Sequence, residues 1–132
     1  MEDILRSLYD LIELLIKTDP AIYRVMLYDP NGTEIYQYAK TWNKGKKYTS
    51  VGAMISQVFK NSDKFFGFMK KDFYDKFAFQ WYFDNVVIIA ADCPQGFIAL
   101  LCERDVDLGF VRNILLRQGL PIYAKIMKPI QD

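Results

Sequence analysis

Hydrophobic and polar positions along this chain change period several times, and each change marks an element. Residues 3–18 place Ile4, Leu5, Leu8, Leu11, Ile12, Leu15 and Ile16 at three- and four-residue steps, which predicts a helix. Asp3 suits its N-cap, and Asp19-Pro20 ends it, because proline disfavours helix at the residue before it. The pattern then becomes "AIYRVMLY" (21–28), a strand of β-branched, aromatic and apolar residues with Arg24 as its one charge. "DPNG" (29–32) is a turn: Pro30 presets one dihedral, and Asn31-Gly32 tolerates positive φ. "TEIYQYAK" (33–40) alternates with polar residues and returns as a strand at a sheet edge.

A loop (41–50) separates this hairpin from a second helix that begins near Ser50, capped by Thr49 or Ser50. Val51, Met54, Ile55, Val58, Phe59, Phe65, Phe66 and Met69 fall within about 140° of arc at roughly 100° per residue. The opposite face carries Ala53, Ser56, Gln57, Lys60 and Lys64. The stripe keeps phase across Asn61-Ser62-Asp63, which favours one long helix to about residue 70, with a break capped by Ser62 as the alternative. "KFAFQWYF" (76–83) then alternates Phe77, Phe79, Trp81 and Phe83 with Ala78, Gln80 and Tyr82, giving a strand with one heavily aromatic face. Asp84-Asn85 suits a tight turn. "VVIIAADC" (86–93) and "FIALLCE" (97–103) are nearly continuous apolar runs, as in strands buried on both faces. After Asp105 a last helix shows Leu108, Val111, Ile114, Leu115, Ile122 and Ile126 on one stripe, with Gly119 and Pro121 expected to kink or interrupt it.

The order is α-β-β-α-β-β-β-α. Short links make each joined strand pair antiparallel. The expected fold is an α+β domain spanning residues 1–132, a five-stranded antiparallel sheet with helices on both faces. At 132 residues and 52% apolar composition, the chain is long enough for one self-sufficient core and too apolar for disorder. No run reaches the length of a membrane span, so direct membrane insertion is not expected. The amphipathic start with acids from residue 2 does not read as a signal peptide.

Charge and chemistry narrow the function classes. Net charge is +1, so no global field selects nucleic acid, anionic lipid or acidic substrate. There is no histidine, which removes the commonest general base and metal ligand and excludes Ser/His/Asp and Cys/His catalysis. No Gly-rich phosphate loop appears. Cys93 and Cys102 lie on two arms of one hairpin, several residues out of register, beyond disulfide reach. They read as buried thiols in a reducing compartment. Lys44, Lys46 and Lys47 beside Trp42 and Tyr48 raise single-stranded nucleic acid as a ligand, but no second basic patch supports it. That loop reads as solvated, with one anchored aromatic. The alternating acids Glu103, Asp105 and Asp107, with Asp92, are the one carboxylate set suited to a divalent ion. The apolar helix that begins at once gives them a simpler role: Asp105 or Asp107 as its N-cap, the other acid favouring the positive end of its dipole. No cofactor, metal or catalytic residue is expected.

The conjunction of the opening amphipathic helix, the strand ending "YDPNG", the long second helix and "FIALLCERDVDLGFVRNILLRQGLPIY" resembles the Roadblock family of dynein light chains and small-GTPase regulators. The resemblance covers nearly the whole chain. It implies a non-catalytic, cytoplasmic, dimeric scaffold that binds a small Ras-like GTPase or a motor or signalling complex. It also implies a sheet ordered 2-1-5-4-3, with the third strand of each subunit paired to its mate and the second helices side by side. On that order strand 76–83 is an aromatic edge without proline, an aggregation hazard unless a two-fold partner pairs with it. The expected dimer residues are Val51, Met54, Ile55, Val58, Phe59, Phe65, Phe77, Phe79, Gln80, Trp81 and Tyr82, in a homodimer or a heterodimer with a paralogue. The second helix departs from the family pattern in its bulky Phe59, Phe65, Phe66 and Phe68, where small residues are common. The rival reading is a small-molecule-sensing module of PAS, GAF or profilin type, which would need a deep enclosed pocket.

Overall fold

The structure, a computed structural model, describes residues 2–48, 50–73 and 77–131, and side chains for all of these except 66–73, 77 and 131. The expectations for Thr49 and for the side chains of Phe66, Phe68, Met69 and Phe77 therefore lie outside what is described.

Helix α1 runs Glu2–Ile16 and is followed by β1 (Ile22–Tyr28) and β2 (Glu34–Ala39). The long α2 (Val51–Phe73) leads to β3 (Phe77–Tyr82), β4 (Val87–Cys93) and β5 (Gly96–Cys102). Helices α3 (Leu108–Ile114) and α4 (Leu120–Gln131) close the chain, joined by a π turn at Leu115–Gly119. The five strands form one antiparallel sheet in the order β2-β1-β5-β4-β3. Every residue of β1 and β5 is buried, whereas β2 is a largely exposed edge.

Two hydrophobic clusters fill the two faces. On one, α1, α3 and α4 pack over Val25, Leu27, Ile89, Ile98 and Leu100. On the other, α2 lays Ile55 and Phe59 over Tyr28, Ala90, Phe97 and Ala99. The continuous apolar runs of β4 and β5 are thus explained by layers on both sides.

The Asp29 side chain shapes the first hairpin by accepting hydrogen bonds from the amides of Asn31 and Thr33, both at 2.9 Å. Gly32 has φ +88°, and a Cβ there would lie 2.5 Å from the carbonyl oxygen of Gly52. A Cβ on Gly52 would in turn meet the Gly32 oxygen at 2.4 Å and the Tyr28 ring at 2.5 Å. The two glycines let the first turn of α2 rest directly on the hairpin backbone.

Several expectations need correction. Asp3 already lies within the first turn of α1, and Leu5 is 50% exposed, because the inward line is Leu8, Leu11, Ile12 and Leu15. On the last helix, Ile122 is largely exposed and Leu120, Tyr123 and Met127 are buried instead. Val111, Leu115, Gly119, Tyr123 and Met127 recur every four residues, a line that would drift around an α-helix by about 40° per step. The wider π turn takes up that drift. It also lets the helix pass Pro121, which lacks an amide donor, without breaking. Tyr123 then reaches across the core to donate a 2.8 Å hydrogen bond to the Tyr28 carbonyl.

Candidate functional site

The apolar arc of α2 is split between two jobs. Gly52, Ile55, Ser56 and Phe59 face the sheet. Ser56, expected on the outer face, is 3% exposed and its hydroxyl donates to the Pro30 carbonyl at 2.8 Å. Met54, Val58 and Phe65 lie within about 40° of one another on the helix wheel, rotated away from that face. Met54 is 46% and Phe65 71% exposed, while Val58 is half-buried. Ile55 and Phe59 are therefore core residues of the chain itself, and among the described side chains of α2 the apolar line left at the surface is Met54, Val58 and Phe65.

α2 meets β3 through Phe59. The Phe59 ring lies 4.7 Å from Phe79, which lies 4.7 Å from Trp81. Phe79, Gln80 and Trp81 are half-buried, and Tyr82 and Phe83 are about half exposed. β3 pairs with β4 from Phe77↔Asp92 to Tyr82↔Val87 and, among the described residues, with nothing on its other side. Its six residues carry no charge, whereas β2, the opposite edge, begins with Glu34 and is followed by Lys40. Charges on an edge strand usually deter pairing, and the six residues of β3 carry none, the nearest charges in sequence being Lys76 and Asp84 beyond its ends.

A second feature lies at the β2 end of the sheet. Arg24 points from β1 to the α2 side and is 3% exposed. Its Nε donates to Asn43 Oδ1 at 2.7 Å, and Nη2 to the carbonyls of Asn43 at 2.8 Å and Lys46 at 3.0 Å. Nη1 donates to Gln37 Oε1. The Tyr48 ring stacks on the guanidinium at 4.7 Å, and the Tyr48 hydroxyl accepts from Asn43 Nδ2 at 3.0 Å. Trp42, though 61% exposed, packs against the Tyr23 ring at 4.6 Å. The loop that reads as solvated is thus wired to a buried cation, which a polar, lysine-rich sequence does not reveal. Burial pushes the Tyr23 and Tyr28 hydroxyls up to about 12.

The acidic stretch after β5 is a joint. Asp107 caps α3, its Oδ1 accepting from the Phe110 amide at 3.2 Å, and Asp105 lies in the exposed turn before it. Asp19 ties the joint to β1, accepting from the amides of Ala21 and Asp107, both at 2.8 Å. Among the described residues, no three acids or thiols gather as a metal site. Cys93 and Cys102 are free thiols, and Cys102 is fully buried. No helix among the described residues is long and apolar enough to cross a membrane. The clefts described are open to solvent, and the sheet faces beneath the helices are filled by side chains.

No protein-family model matches the chain, and no curated protein matches it in sequence. Solved structures do match in shape. The gliding protein MglB from Thermus thermophilus superposes with a TM-score of 0.74 at 11% identity, over 94% of this chain and 90% of that one. Myxococcus xanthus MglB gives 0.68 at 15% identity, over 87% and 89%. A Roadblock/LC7 domain from Streptomyces avermitilis gives 0.60 at 15%, over 92% of each. The likeness spans the whole layered core, and the fold is that of the Roadblock/LC7 and MglB structures.

Proposed function

We propose that this chain is a non-catalytic, dimeric regulatory scaffold, one domain over its 132 residues, that binds a small Ras-like GTPase or a motor or signalling complex in the cytoplasm. The observation that carries the reading is a pair of unfinished features on two elements that touch through Phe59 and Phe79. Among the described residues the aromatic β3, with no charge among its six residues, pairs on one side only, and α2, which meets β3 through Phe59, turns Met54, Val58 and Phe65 outward. A second copy placed across a two-fold axis would extend the sheet through β3 and cover the α2 line with its own equivalent. Gln80 and Tyr82 would meet their mates across the edge, while Ile55 and Phe59 would support the helix from within. Each subunit uses its own face twice, so one patch serves both partners.

The fold supports this reading, since the Roadblock proteins that the sequence resembles pair in this manner and serve GTPases and motor complexes. One similar structure is described as MglB with a tetrameric arrangement. Sedimentation at micromolar concentration tests the dimer directly: a clean monomer sinks the homodimer and leaves only pairing with a paralogue. Affinity capture from native lysate tests the partner. Recovery of a small GTPase, retained by the wild type and lost with Met54→Lys/Phe65→Glu, supports the reading, and recovery of none overturns the GTPase assignment.

A further inference from the structure

The β2 end of the sheet carries a feature that the dimer reading leaves unused. A cleft of about 790 Å³ lies between β2 and the Lys44–Tyr48 loop. Four basic residues are among its lining, Arg24, Lys44, Lys46 and Lys47, against one acidic residue, Glu34. The whole chain carries only +1, so this is a local concentration of positive charge.

Arg24, also in the lining, is 3% exposed, and its environment is unusual. A buried guanidinium normally meets a carboxylate, because removing an ion from water costs several kcal/mol in practice unless it is paired. Here its four hydrogen bonds all end on neutral oxygens, those of Asn43, Lys46 and Gln37. Glu34 approaches only indirectly, through a 3.3 Å contact from Gln37 Nε2. The guanidinium is held in place but its charge is not neutralised. The three lysines of the same lining are exposed. Gly32, also in the lining, sits against Gly52, so the positive end of the α2 dipole borders the same cleft.

We propose that this cleft is an anion site for a phosphate-bearing small molecule. Lysine ammonium groups act on phosphate as mobile point charges, and a fixed buried guanidinium in the same lining supplies a field that water does not quench. A polyanion is favoured over a single carboxylate, because the lining holds four basic residues and one acid. The volume suits a small ligand, within the roughly 300–1,000 Å³ of known small-molecule pockets. A free nucleotide and a phosphorylated lipid headgroup both carry such a phosphate, and the chemistry of recognition is the same. The cleft lies at the opposite sheet edge from β3, so the proposal stands or falls independently of the dimer.

The test titrates inorganic triphosphate into the full chain by calorimetry at low salt. Wild type, Lys44→Ala/Lys46→Ala/Lys47→Ala and the distant control Lys125→Ala/Lys128→Ala are compared. The three cleft lysines are exposed, and the Lys46 carbonyl that holds Arg24 survives substitution, so the cleft variant keeps the fold. Saturable binding is expected in wild type and control, with affinity at least about tenfold lower in the cleft variant. No saturable binding at about 1 mM ligand overturns the proposal, as does equal loss in the control, which would report overall charge only. Two further arms identify the source of the phosphate. ATP binding more tightly than triphosphate assigns the site to a nucleotide. Flotation with phosphatidylcholine vesicles containing a phosphoinositide, but not with phosphatidylcholine alone, assigns it to a lipid headgroup.

Discussion

Replacing Arg24 with methionine removes the charge and the donors while keeping most of the side-chain length. Three oxygens that the guanidinium now satisfies belong to the loop: Asn43 Oδ1, the Asn43 carbonyl and the Lys46 carbonyl. Lys46 is exposed, and its carbonyl can recover a water. Asn43 is 2% exposed; its carbonyl keeps the hydrogen bond from the Lys46 amide at 3.1 Å, but its Oδ1 cannot find another donor without opening the loop. The one buried acceptor left unmade costs about 1–3 kcal/mol, and the lost charge-assisted bonds to the Asn43 carbonyl and Gln37 add about 1 kcal/mol each. Relief of the buried charge works the other way by a few kcal/mol. A net loss of about 1–2 kcal/mol is expected, or roughly 5 °C in Tm for a chain of this length. Urea unfolding followed by circular dichroism, at one fixed protein concentration, measures it. Trp42 fluorescence reports the loop itself through its contact with Tyr23. Arg24→Lys should lose nearly as much, because one ammonium cannot span four acceptors in a fixed fork. A methionine variant within about 0.5 kcal/mol of wild type, or a fully stable lysine variant, would refute the account of Arg24 as the anchor.

Phe65→Glu should leave the fold intact, since Phe65 is 71% exposed, and should shift sedimentation toward monomer. Unchanged association would remove α2 from the dimer seam. Gly52→Ala sets a methyl 2.4 Å from the Gly32 oxygen. Overpacking of about 1–3 kcal/mol outweighs a helix-propensity gain of about 1 kcal/mol or less, so denaturation should show a net loss of about 1–2 kcal/mol. Burial raises Cys102 from 9.0 to about 12, and Tyr23 and Tyr28 from 10.0 to about 12. The folded state therefore holds these protons more tightly than the unfolded state. Their contribution is complete below the unfolded values and is lost as pH rises from 9.0 to about 12, so stability should fall across that window. At neutral pH, Cys102 should resist a thiol reagent until denaturant is added.

Element types and sheet faces are legible in the sequence because the periods are clean: the apolar runs of β4 and β5, the "DPNG" turn, and the four-residue line of α1. The aromatic edge at β3 is legible too, as an alternation without charges. Facing is less so on α2. Periodicity records which residues are apolar, and cannot separate a line buried against the chain's own sheet from a line left outward. Ser56 and Gly52 face inward for reasons of hydrogen bonding and close approach, to which hydrophobicity is blind. The π turn at Leu115–Gly119 shifts the phase of the last helix, so a regular stripe puts Ile122 on the wrong side. The Arg24 network leaves no trace in the pattern, because its loop acceptors lie 19 and 22 residues away and two of them are backbone carbonyls, which no side-chain pattern encodes.

The strand order sets a timetable for biosynthesis. β1 lies inside the sheet, but its inner neighbour, β5, comes late in the chain, with Ile22 opposite Cys102. At about 5–20 residues per second, ribosomes take roughly 4–15 s to make the segment between them. Throughout that interval β1 can pair with β2 alone, and one side of a strand that is apolar but for Arg24 waits for its mate. Completion then depends on contacts of high sequence separation, such as Tyr123 closing on Tyr28, which places folding among the slower single-domain topologies. The polar surroundings of β2, with Glu34 at its start and Lys40 just past its end, shield that nascent hairpin on its outer side during the wait.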